Sequence, residues 1–276
     1  MSAAMPAPMP AAMPGPSLDT SATAAIPFWR LALVELRKAY NTRAGFWLLF
    51  TIGLLITLLQ VVQLITFLAQ DYTTTFTDFT GNVWIVSLVL VPMLPILLVT
   101  TEWSQRTAVV TFAIEPRRLR VIFAKLAVAV ALALAVVVLM LVVAVACTAV
   151  ADLLRPDYVE WSVDKTFVFV GAPLTVLTTT VFGFAVACML LNTPAAIVLF
   201  LLSWYASVGV LAAIAALIPP FEDVLPWITL QINVLVLADG LPSEASDWGH
   251  LLVSLGVWIV LPLFVGMGRI VNAEVK

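Results

Sequence analysis

The sequence predicts an all-α membrane protein of six transmembrane helices, with an amphipathic helix before the first and a polar elbow between the second and third. Three observations predict it. Of 276 residues, 63% are hydrophobic and 11% charged, and the mean hydropathy is +1.11. Soluble domains run at about 45–50% apolar and about 25% charged. The apolar residues also gather into runs of about 20, the helical length that crosses roughly 30 Å of hydrocarbon. Finally, charge alternates along the chain. Eleven of the thirteen Lys and Arg residues fall near the N-terminus, in the elbow 101–125 or in the C-terminal tail. The remaining loops hold only Arg155 and Lys165, yet carry eleven of the sixteen acids. Positive-inside bias then places both termini and the elbow in the cytoplasm, in a multi-pass protein of the cell membrane.

Residues 1–25 are Ala, Pro, Met and Ser with one charge, Asp19, and are expected to form a disordered tail. Without a basic n-region or an apolar h-region, they are not a signal peptide. Residues 26–276 form a single membrane domain. Over 27–43, Arg30, Glu35, Arg37, Lys38, Asn41 and Thr42 share one side at 100° per residue, while Trp29, Ala32, Leu33, Leu36, Ala39 and Tyr40 share the other. That pattern suits a helix lying in the headgroup plane.

The first span covers 46–69, with Thr57, Gln60, Gln63 and Thr66 at three-residue intervals. The two glutamines would line a polar path or hydrogen-bond a neighbouring helix. After a polar loop at 71–82, the second span covers 83–100, with Pro92 and Pro95 expected to kink or unwind it. The third span runs from 126 to 151 and the fourth from 166 to 191, the latter with threonines at 178–180. A tight turn at Asn192-Thr193-Pro194 leads into the fifth, 195–218. Within the acidic loop 221–248, residues 225–238 are apolar but too short to cross, which favours a re-entrant or interfacial outer element. The sixth span covers 249–268. Cys147 and Cys188 fall near opposite ends of their spans, too far apart for a disulfide.

Several activities are excluded. No Gly-Lys dipeptide occurs, so there is no Walker A loop. A single histidine, His250 at the edge of the last span, rules out an HExxH zinc site. The spans as drawn hold no Asp, Glu, Lys or Arg in their interiors, which weighs against ion-driven transport. No catalytic residue, cofactor or metal site is expected. What remains is a transporter-like bundle that would be driven from outside, by a partner gripping the elbow.

At that elbow the chain resembles the membrane subunit of ABC (ATP-binding cassette) transporters of the ABC-2 type. The matching positions are Glu102 at the end of the second span, Thr107 five residues on, the apolar run Val109–Phe112, then Pro116, Arg117-Arg118 and Lys125. Glu35, Arg37, Lys38 and Arg43 before the first span resemble the family's connecting helix. Many relatives have Gly where this chain has Arg106, and the Thr-to-Pro spacing is one residue longer here.

The resemblance implies an ATP-driven exporter in which the elbow forms a coupling helix docked into a groove of a separate ATPase subunit. It implies Glu102, Arg106, Thr107, Val110, Phe112, Ile114 and Pro116 as ATPase-coupling residues, with the apolar ones entering the groove and Glu102 and Arg106 at its rim. A local Glu102–Arg106 ion pair is the alternative use of those charges. The remaining arginines of the elbow are expected to face lipid phosphate. Partners would be the ATPase, a second or homologous permease and membrane lipid, with no nucleic acid. The alternative function is an ion-coupled secondary transporter.

Overall fold

The computed structural model describes residues 26–273. The expected tail over 1–25 lies outside the described residues, as do residues 274–276. Among the described residues, six helices are long and apolar enough to cross a membrane: Arg43–Ala69, Phe76–Ser104, Arg118–Leu154, Phe167–Leu190, Thr193–Leu217 and Ala245–Asn272. The chain is an all-α, multi-pass membrane protein.

In chain order, α1 (Phe28–Asn41) precedes the first span, α2 (Arg43–Ala69). The second span is α3 (Phe76–Leu90) and α4 (Met93–Ser104), interrupted at Val91-Pro92 where a proline was expected to break the ladder. A short α5 (Ala108–Ile114) fills the elbow, and α6 (Arg118–Leu154) is the third span. The fourth is a π turn over Phe167–Gly171 continued by α7 (Ala172–Leu190). The fifth pairs α8 (Thr193–Leu201) with α9 (Ser207–Leu217). Two short helices, α10 (Leu225–Ile228) and α11 (Leu230–Val236), precede the sixth span, α12 (Ala245–Leu255) and α13 (Leu261–Asn272).

α7 lies at the centre, packed by α4, α6, α8 and α13. Its threonines return their hydroxyls to their own helix, Thr178 to Leu174 O at 2.8 Å and Thr180 to Val176 O at 2.6 Å. Close approach to α13 depends on Gly266, where a Cβ would come within 2.6 Å of the Cys188 backbone. Only 17% of the apolar window is buried in the first and fifth spans, against 61% in the second and fourth, so those two are peripheral. Cys147 and Cys188 are free and buried.

Several boundaries depart from the sequence expectation. The second span starts at Phe76 because Thr75 and Asp78 form a reciprocal capping box that turns the polar loop into the first helical turns. The third runs 37 residues, about 55 Å at 1.5 Å per residue, so it outreaches the hydrocarbon and includes Lys125. It starts at Arg118, just after Pro116, where hydropathy alone would begin it eight residues later. At the far end of the bundle, parallel two-residue strands Thr74–Thr75 and Val159–Glu160 pair the first and third connections. The apolar stretch before the last span docks on α12: Asn233 Nδ2 donates to Pro226 O, His250 O and Ser254 Oγ at 2.7, 3.2 and 3.1 Å.

Candidate functional site

The elbow, α1, the α7–α8 turn and the last residues of α13 gather at one end of the bundle. There four charged side chains from three elements meet. Glu35 and Lys38 lie one turn apart on α1, Glu102 occupies the last turn of α4, and Lys125 lies two turns into α6. Lys125 Nζ is 2.5 Å from Glu35 Oε2 and 3.1 Å from Glu102 Oε1, and it donates to Leu98 O at 3.0 Å. Lys38 Nζ is 2.7 Å from both Glu35 Oε1 and Glu102 Oε1. Each carboxylate thus bridges both ammoniums, and the cluster is formally neutral.

Burial makes this arrangement consequential. Glu35 is 0% exposed, Lys125 5% and Glu102 7%, while the Lys38 side chain is about one-third exposed. Buried charges persist only where partners and hydrogen bonds offset their lost hydration. Burial acts to lower the pKa of Lys38, but its hydrogen bonds to Glu102 and Glu35 outweigh that, so its ammonium is held above the ordinary lysine value.

This overturns three expectations. Glu35 and Lys38 were placed on the polar, headgroup-facing side of α1, but they face inward, where Leu31 shares their stripe. Glu102 is buried and makes no ion pair with Arg106 among the described residues; Lys38 and Lys125 take its carboxylate. A charged pair was also absent from the spans as drawn, because Lys125 fell one residue before the apolar run. Lys125 is the member that the residue pattern alone did not single out. Its only sequence signal is its place closing the elbow motif.

The elbow itself hangs from Glu102. Arg106 adopts a left-handed φ of 57°, which reverses the chain after α4 and lets Thr107 N donate to Glu102 O at 2.9 Å. A non-glycine residue there carries some strain. Thr111 Oγ1 reaches Glu102 Oε1 at 3.4 Å. On α5, Val110 and Ile114 are 61% and 66% exposed, and Val109 shares their outward face. Phe112 does not: it turns in against Trp103, ring centroids 6.2 Å apart, with the Arg118 guanidinium over it at 5.0 Å. Pro116, exposed, ends the helix by forcing Glu115 into extended backbone.

Two arginines of the elbow, Arg118 and Arg120, act as structural ties, while Arg106 and Arg117 are exposed. Arg118 Nη1 donates to Ile270 O and Ala273 O, both at 2.7 Å, closing the C-terminus of α13. Arg120 pairs with the buried Glu115 at 3.2 Å and donates to Ile26 O. Arg37 and Arg43, by contrast, are exposed.

Between α1, α2, α4 and α5 lies a cavity of about 370 Å³, with Lys38, Glu102 and Thr111 on its polar side and Leu48, Leu94 and Leu98 on its apolar side. The corner between α1 and α2 is tight. Thr42 caps α2 by accepting from Gly45 N at 3.1 Å, and a Cβ on Gly45 would collide with Ala39 O.

The two glutamines of the first span divide the roles that their spacing left open. Gln60 Nε2 donates to Met140 O on α6 at 3.0 Å, an inter-helix bond. Gln63, one turn on, lines a second cavity at the far end of the bundle. His250 packs edge-on against Trp227 at 4.6 Å. Set against known proteins, the chain matches no family model and no curated sequence.

Proposed function

We propose that this chain is the membrane subunit of an ATP-driven exporter of the ABC-2 type, powered by a separate ATPase and working beside a second permease copy or a homologous permease. The observation that carries the reading is the buried four-charge cluster. It fastens the helix before the first span, the end of the second span and the start of the third to one another, next to a short helix with an apolar outward face.

In this reading both termini and α5 are cytoplasmic in the cell membrane, and α10–α11 form the outer re-entrant element. α1 lies in the headgroup plane, with Trp29, Leu33 and Tyr40 toward acyl chains and Arg30, Arg37 and Arg43 toward phosphates. The ATPase groove receives Val110 and Ile114, with Arg106 and Thr107 at its edge, while Phe112 and Glu102 pass the displacement inward. Closure of the ATPase pair on ATP then shifts α5 and α1 together, and the cluster carries that shift into the second and third spans. The substrate path opens at the interface between permeases.

Purification of the full chain from its native membrane tests this. A Walker-A-containing ATPase is expected to co-purify, and Val110→Glu or Ile114→Glu should lose it while membrane insertion is unchanged. A chain that purifies without any ATPase, or retains it in both variants, overturns the reading. Buried titratable groups also favour ion-coupled secondary transport. Against that, all four charges are paired, leaving none free to carry an ion. Flux driven by an ion gradient and independent of any ATPase would replace the first reading with the second.

A further inference from the structure

The cavity at the far end of the bundle, between α2 and α3, measures about 630 Å³, within the range of small-molecule sites. Its lining combines apolar Leu59, Val62 and Val86 with the polar side chains of Gln63, Thr74 and Asp78. We propose that this cavity binds an organic ammonium with a compact apolar body. The proposal does not rest on the ATP-driven reading.

The polar groups of the lining are rich in acceptors. Gln63 Oε1 and Thr74 Oγ1 are buried with no hydrogen-bond partner among the described residues, and both residues line the cavity. Unpartnered buried polar atoms are rare in folded proteins, and each calls for an explanation. A donor-bearing guest provides one here. Asp78 adds a formal charge. Its Oδ2 takes the cap bonds from Thr75 N at 2.8 Å and Thr75 Oγ1 at 2.9 Å, which leaves Oδ1 for a ligand.

No Lys or Arg lines the cavity, so an anion would find no partner there. Tyr72, held edge-on against Phe67 at 5.6 Å, offers an aromatic face at the rim. The surrounding field has the same preference. The connections at this end of the bundle carry eleven acids against Arg155 and Lys165, and Arg155 is already tied to Asp71 at 2.9 Å. Such a surface concentrates cations near the mouth.

Calorimetric titration of the full chain in phosphatidylcholine nanodiscs tests this, with empty nanodiscs as the blank. The probe is benzylamine, protonated at neutral pH and so carrying N–H donors; benzenesulfonate and sorbitol serve as the anionic and neutral comparators. Saturable binding of the ammonium alone is expected, weakening as salt is raised. Asp78→Asn should weaken it by about tenfold, the loss of one charge-assisted contact. Because Asp78 also caps α3, Gln63→Glu provides an arm that leaves the cap alone, and the added carboxylate should tighten binding several-fold. No saturable heat with the wild-type chain would overturn the proposal. So would sorbitol or benzenesulfonate binding as tightly as the ammonium, or an affinity unmoved in both variants.

Discussion

Replacing Lys125 by Met removes the most buried ammonium of the cluster while keeping much of its volume. The wild-type Nζ, itself buried, holds the buried Glu35 at 2.5 Å, the buried Glu102 at 3.1 Å and Leu98 O at 3.0 Å. After the change, two buried carboxylates share one partly exposed Lys38. Removing one partner of a buried ion pair costs about 3–5 kcal/mol, most of it from the charge left behind. At about 2–4 °C per kcal/mol for a domain of comparable size, the melting temperature should fall by at least about 6 °C. Tryptophan fluorescence during a thermal ramp in detergent reads this directly, with Lys165→Met, an exposed residue in no ion pair among the described residues, as the control. The double variant Glu35→Gln with Lys125→Met leaves the neutral pair Lys38–Glu102. It should therefore lose less than the sum of its single changes. A Lys125→Met melting temperature within about 1 °C of the Lys165→Met control would refute the claim that the cluster fastens these helices.

Two further predictions concern pH and packing. The folded-state pKa of Lys38 is raised, so the stability it contributes is fully present below the unfolded lysine value near 10.5 and is lost as pH climbs through the folded value. The gap in melting temperature between wild type and Lys38→Met should thus hold steady from about pH 8 to about pH 10 and narrow above that; a constant gap up to about pH 12 would contradict it. On α13, Gly266→Ala pushes a methyl into the α7 backbone and should cost about 1–3 kcal/mol, whereas Gly268→Ala, with nothing within 4 Å, should be neutral or stabilising through helix propensity. Equal thermal shifts in the two variants would show that α13 does not depend on this close approach to α7.

The six spans were legible because crossing a bilayer imposes a local demand, an uninterrupted apolar run, that any window of the sequence displays. The near-end cluster was not, for a physical reason. Periodicity placed Glu35 and Lys38 on one polar face, but a face says nothing about its partner, and here the partner is a lysine 90 residues away on α6. Lys125 itself was read as lying outside the bilayer, because hydropathy marks where a helix becomes apolar and Pro116 marks where it starts. The start of α3 shows the converse. The letters Thr75-x-x-Asp78 spell a capping box, yet their polar neighbours resemble a loop, and only the reciprocal hydrogen bonds decide between the two.

The arginines give the elbow its visible charge, and two of them, Arg118 and Arg120, cap α13 and pin the entry to α1, bracing the end of the bundle. The lysines sit where displacement would have to pass. Moving any one of the four cluster residues alone strands a buried charge, so α1, the end of α4 and the start of α6 are obliged to move as one body. α5 is under no such obligation. It is joined to that body by the Thr107 N–Glu102 O bond, one long Thr111–Glu102 contact and the inward Phe112, with a cavity of about 370 Å³ beside it. Under the proposed function, a compliant helix attached at Glu102 to a stiff three-helix joint would convert a local push into a tilt of two spans. The same geometry would be wasted if the end of the bundle were built for stability alone, since an apolar seam of equal volume would hold the helices as well or better.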